Sequence, residues 1–113
     1  MAHYLLAIKY YVGTKKKVRR FRAFNISSEE LCVHYVQPFT NNLPILISGR
    51  KILISQIEQI LVFSSPQPIQ QDMLLSTGIR IGEEKHDVMV NCLRKGEFNA
   101  VEVTSEFLHL KGP

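Results

Sequence analysis

Few residues in this chain combine the types and spacing that chemistry requires. Four histidines, His3, His34, His86 and His109, are scattered, and two cysteines, Cys32 and Cys92, lie 60 positions apart. A zinc site draws its ligands from closely spaced pairs, and a disulfide framework needs a patterned set of cysteines, so neither is written here. The cysteines read as small buried hydrophobes of a reducing cytoplasm, with a single structural disulfide as the alternative. His34 follows Cys32 by two positions, which on a helix turns the side chains to different faces and argues against a dyad. The carboxylates gather as Glu29-Glu30, Glu83-Glu84 and Asp87. Helix-start preference and solvation account for them, whereas paired acid–base catalysis needs a shared cleft with divergent environments. His86-Asp87 reads as a surface pair. Glycine-rich phosphate loops, HExxH and GxSxG are absent from the sequence. The expectation is a non-enzyme with no catalytic residue, no cofactor and no metal. An enzyme would need a cleft that gathers distant residues such as Cys32, His34 and His86.

The feature that stands out is a basic segment. The 113 residues carry 14 Lys+Arg against 10 Asp+Glu, a net charge of +4. Residues 1–28 hold seven of those cations and no acid, so the remainder is net acidic. Lys15, Lys16 and Lys17, followed by Arg19, Arg20 and Arg22, place six charges within about 25 Å of extended chain. Tyr10, Tyr11 and Phe21 lie close by, and cations interleaved with aromatics suit phosphates and stacked bases. These six residues are the candidate contact with nucleic acid or with an acidic protein surface. The plainer reading is solubility and protection of an edge strand against aggregation. Because Arg19 and Arg20 alternate faces, only part of the set can share one surface.

These side chains must be positioned by a small fold. His3–Val12 alternates with Tyr4, Leu6, Ile8, Tyr10 and Val12 on one parity, the pattern of a strand with one buried face. Val18–Ile26 resumes the pattern after Gly13-Thr14-Lys15-Lys16, giving a hairpin with lysines at its tip. Ser27-Ser28-Glu29-Glu30 is a capping box, and Leu31/Tyr35 and Cys32/Val36 form an inward stripe on the helix it starts. Pro38 is expected to stop that helix. Ile45–Ile47 and Lys51–Ile54 flank Ser48-Gly49-Arg50 as a second hairpin, and Ser55–Gln59 could make one helical turn. Ile60–Phe63 is apolar throughout, as in a strand covered on both faces. Residues 66–71, rich in Pro and Gln, read as a surface loop. Lys85–Leu93 has helical spacing, with a strand at Val88–Val90 as the alternative, and Gly96 as a stop. Val101–Leu108 reads as a strand running into a turn. The expected class is α+β: a small, mostly antiparallel sheet with two helices, in a single domain spanning 1–113. The longest apolar runs, Tyr4–Ile8 and Ile60–Phe63, fall far short of the ~18–20 residues that cross a bilayer, and the N-terminus lacks the pattern of a signal peptide. A cytoplasmic location without membrane contact follows as the expectation.

Ser27-x-x-Glu30-Leu31, Val36-x-Pro38-Phe39, Pro44-Ile45, Ser48-Gly49-Arg50-x-Ile52 and Ile57-Glu58-x-Ile60-x-Val62-Phe63 occur in that order. Glu102-Val103-Thr104-Ser105-Glu106-Phe107 follows, closing on Gly112-Pro113. Together these blocks, 27–63 and 102–113, resemble the N-terminal domain of bacterial proteins that carry a C-terminal TIR-like predicted nucleotide-binding domain. The chain departs from that pattern at Gln59 and Leu61, where arginines are usual, and at Asn25-Ile26, where an Asp precedes the capping Ser. The resemblance implies an accessory or sensing domain of a phage-defence protein, with the effector following in the same chain and 109–113 beginning the linker. It carries no catalytic residue. The alternatives are a free-standing nucleic-acid-binding module that uses residues 15–22, and an oligomerisation domain whose strands pair across a two-fold axis.

Overall fold

A computed structural model describes residues 3–13, 18–47, 49–69 and 82–108. β1 (His3–Val12) and β2 (Val18–Ile26) form the first hairpin, paired antiparallel from Tyr4↔Ile26 to Val12↔Val18. A helical segment follows, built from α1 (Ser28–Leu31), a π-helical stretch (Cys32–Val36) and α2 (Gln37–Thr40). Next come β3 (Ile45–Ile47), β4 (Arg50–Ile52), a 3-10 turn (Ile54–Gln56) and β5 (Ile57–Ser65). The last elements are α3 (Glu83–Arg94), a 3-10 turn (Glu97–Asn99), β6 (Val101–Glu102) and α4 (Thr104–Phe107). The main sheet has the order β2-β1-β5-β6, antiparallel throughout, and β3-β4 is a separate hairpin. The class is α+β, as the residue pattern predicts.

The sheet is covered on both faces, which the alternation in β1 did not foretell. Leu6, Ile8, Tyr10 and Val12 meet Leu31, Tyr35, Ile45, Ile47, Ile52, Ile60 and Val62 on one face. Leu5 and Ala7 meet Phe21, Ala23, Leu61, Phe63 and the α3 residues Met89, Val90 and Leu93 on the other. Apolar residues at every position from Leu5 to Ile8 let β1 bury both sides, the usual signature of a central strand.

Pro38 does not end the helix. The chain stays helical to Thr40, and the Gln37 N–H donates to the Cys32 carbonyl, five residues back. Proline in a regular helix lacks its N–H and strikes the carbonyl four residues earlier. The widened π turn just ahead of Pro38 draws those carbonyls away, so the ring is accommodated at the start of the last turn. The real stop lies at Asn41 and Asn42. Asn41 donates through its backbone and side chain to the Gln37 carbonyl (3.0 and 2.9 Å), and Asn42 takes a left-handed φ of 57°. At the other end, Ser27 Oγ accepts from the Glu30 N–H at 3.1 Å, which is the N-cap half of the expected capping box.

Two smaller expectations also shift, and the helix ahead of Gly96 forms as its spacing predicts. The 3-10 turn occupies Ile54–Gln56, so Ile57–Gln59 already belongs to β5. Val88–Val90 lies within α3, and Gly96 follows that helix with φ 91°, a conformation that glycine adopts without strain. Cys32 and Cys92 are free and only half-buried. Residues 70–71 of the surface loop and the linker at 109–113 lie outside the described residues.

The C-terminal motif closes the sheet where β6 runs out. The Val103 N–H donates to the Val62 carbonyl at 2.8 Å, while Thr104 Oγ1 accepts from the Val62 N–H at 3.0 Å. The same hydroxyl donates to Glu102 Oε2 at 3.2 Å, and Glu102 Oε1 in turn accepts from Arg94 Nε at 3.0 Å. A threonine side chain thus stands in for a strand partner. Thr104→Val should leave the buried Val62 N–H unsatisfied and cost about 1–3 kcal/mol in chemical denaturation, with Thr104→Ser recovering most of it.

Candidate functional site

The six candidate cations do not form one surface. Lys15, Lys16 and Lys17 lie outside the described residues. Arg19, Arg20 and Arg22 lie along β2, an edge strand of the main sheet, and the pleat divides them between its two faces.

Arg19 points to the α3 side, where it is already engaged. Its Nε and Nη2 reach both carboxylate oxygens of Glu58 (3.1 and 2.8 Å), and Nη1 reaches Glu83 Oε2 at 2.7 Å. Tyr11 donates its hydroxyl to the same Glu58 at 2.6 Å. Glu58 arrives there through an irregularity in the sheet: Lys9 pairs with Gln59 but Tyr10 pairs with Ile57, leaving Glu58 as the extra residue. A bulge of this kind re-aims one side chain without breaking the strand. Hydrogen bonds from Tyr11 and then Arg19 hold the Glu58 carboxyl below its usual range, and the bond to Glu58 raises the Tyr11 phenol. The Arg19 guanidinium also lies 5.3 Å from the Phe21 ring centroid.

A second ion pair continues along the same face. Lys9 Nζ is 3.1 Å from Asp87 Oδ1 and 5.9 Å from the Phe21 centroid. The hydrogen bond from Lys9 holds the Asp87 carboxyl low. Beside Asp87, His86 is not the surface residue its neighbour suggests: it is fully buried, with its ring 5.7 Å from Phe21. Neither ring nitrogen has a hydrogen-bond partner among the described residues, and Nδ1 lies 3.9 Å from Asp87 Oδ1. Burial, with the Lys9 charge second, pushes the His86 pKa down to about 4. The ring is neutral at physiological pH and packs as an aromatic. Together these groups fasten the hairpin and the β5 bulge to the start of α3.

Arg20 and Arg22 face the other way, toward the helical segment. Arg20 is half-buried and sits opposite Tyr10, while Arg22 sits opposite Ile8. Arg22 is only 6% exposed, and its Nε has no hydrogen-bond partner among the described residues. Tyr10 is its diagonal neighbour across the strands, and Phe24, next on the same face, lies 6.0 Å from the Tyr35 ring. Burial raises the Tyr35 phenol, opposed by the nearby Arg22 charge. The remaining chemistry-bearing residues stay apart: His34 is exposed, and no group of three or more His, Cys, Asp or Glu among the described residues could hold a metal.

Sequence reasoning missed the partners. Glu58, Glu83 and Asp87 are surface acids by type, and only the bulge and the approach of α3 bring them to Arg19 and Lys9. For Arg22, the apolar neighbours Phe21, Ala23 and Phe24 were the available sign of burial. Comparison with protein-family models, curated proteins and solved structures finds no match to this chain.

His86 makes the domain acid-labile in a defined window. Its folded pKa lies below the ordinary value of 6.5, so as pH falls below about 6.5 the unfolded chain takes up a proton that the folded one refuses. Stability should drop by about 2 kcal/mol between pH 7 and pH 5, and the loss should approach completion near pH 4. Glu58 and Asp87, with lowered pKa values, contribute only below the ordinary carboxylate range, so the upper window belongs to His86. Urea unfolding of His86→Leu across pH 5–7 should be nearly flat where the parent protein slopes.

Proposed function

We propose that this chain is a non-catalytic recognition domain that regulates a TIR-like effector carried in the same bacterial protein. The observation behind this reading is that the two motif blocks meet in one layer. Leu31, Ile45, Ile52, Ile60 and Val62 of the first block share a single core cluster with Val103 and Phe107 of the second. Thr104 joins the blocks through the Val62 N–H. Motifs 40 residues apart that build one packed layer are the residues a domain family would hold in common. The basic strand fits recognition of a discrete anionic group better than a nucleic-acid backbone. Arg19 is neutralised by two carboxylates and Arg22 is enclosed, leaving Arg20 as the described arginine of β2 with neither constraint.

The source gene tests the first half of this reading: a TIR-like reading frame should continue beyond Pro113, and a stop codon directly after it would contradict the proposal. Salt titration tests the second half. Six cations each neutralising a phosphate would give log K against log salt a slope near −5, whereas recognition of one discrete anionic group should give a slope shallower than about −2. A steep slope that flattens on charge reversal of Lys15, Lys16 and Lys17 would instead favour the nucleic-acid-binding module.

A further inference from the structure

We propose that Arg22, with Arg20 beside it, forms a binding site for one phosphoryl-type oxyanion at the seam between β2 and the helical segment. The inference deepens the recognition reading by naming the chemistry that would be recognised. Its starting point is a charge to which the described residues offer no counter-charge. A guanidinium cannot shed its proton on burial as a lysine can, so an enclosed arginine keeps its charge and needs a counter-charge or hydrogen-bond acceptors. Among the described residues, ion pairs serve Lys9, Arg19 and Arg94, and none reaches Arg22. Glu30 is the nearby acid whose charge reaches Tyr35. It too forms no ion pair with Arg22.

The surroundings suit an oxyanion. Arg20 and Arg22 are two positions apart on one face of an edge strand, roughly 7 Å along the chain. They supply two positive charges in planar forks, matching a dianionic phosphoryl group better than a monocarboxylate. Tyr10 is the diagonal neighbour of Arg22 and Tyr35 lies within reach of its charge, and with exposures of 6% and 8% both are as buried as Arg22 itself. In that low-dielectric setting each charge-assisted hydrogen bond is stronger than at an open surface. Arg20, half-buried on the same face, is the more accessible of the two cations for an arriving ligand. Edge protection, the plainer role for basic residues on such a strand, needs cations in water and does not explain an enclosed arginine.

The probe is inorganic phosphate, added to the full chain with acetate at matched ionic strength as the control. Phosphate should raise the melting temperature saturably, and acetate should not. Arg22→Met should weaken phosphate binding at least tenfold, with Arg22→Lys losing less, because the charge survives without the fork. Without phosphate, Arg22→Met should melt at or above the parent temperature, since an unpaired buried charge has been replaced by an apolar chain. A parent protein that responds equally to phosphate and acetate, or a Met variant that binds phosphate as the parent does, overturns the proposal. Should Arg22→Met fail to fold, the Arg22 Nε–H resonance of the parent decides: a saturable shift with phosphate supports the site, and an unmoved resonance removes it. Phosphate binding combined with a stop codon after Pro113 would keep this site and discard the effector reading. The reverse pair of outcomes would discard the site alone.

Discussion

Everything in this molecule hangs on the burial of β1 from both sides. Leu5, Leu6, Ala7 and Ile8 are almost wholly inaccessible, and the strand is paired along its length with β2 and along most of it with β5. A strand that is apolar on both faces cannot be an edge, and it cannot be left half-covered without exposing several large side chains. The chain meets this constraint by placing α3 on one face and the helical segment with the β3-β4 hairpin on the other. β2 consequently lies at an edge of the sheet with a covering layer on each side. That position decides the fate of its arginines.

The pleat sends successive residues of β2 into different surroundings. On the α3 side, Arg19 finds Glu58 and Glu83, and its charge is absorbed by a network that also holds Tyr11. On the helical side, Arg22 shares its strand face with Phe24, lies diagonal to Tyr10, and its charge reaches Tyr35. One face therefore uses its cation as a fastening between layers, and the other retains a cation with unsatisfied hydrogen-bonding capacity. Partly exposed ion pairs contribute little each, but a bidentate arginine shared by two carboxylates, one of them also held by the Tyr11 phenol, fixes geometry better than an isolated pair. The half of the strand that is satisfied is structural. The half that is not is where a ligand has something to offer.

Much of the fold could be read from residue types. Both strands of the first hairpin, the Ser27 cap, the apolar β5 and the helix ahead of Gly96 follow from local pattern. What escaped reading arose from contacts distant in sequence. Pro38 continues a helix because a π turn precedes it, and a π turn has no short-range signature. His86 is buried because α3 lays it against Phe21, although Asp87 beside it signals solvent. Glu58 reaches Arg19 through a one-residue irregularity in strand pairing. The basic segment was conspicuous as a count of charges, yet its division into bound and enclosed cations depends on which layer each face meets.

That division can be observed directly through hydrogen exchange of the arginine Nε–H groups, resolved by NMR in the full chain. Arg22 should exchange slowly because it is enclosed, Arg19 should be slowed by its bond to Glu58, and Arg20 should exchange markedly faster than either. Three arginines exchanging at one common, solvent-like rate would contradict the account. The basic strand would then be a uniform exposed surface.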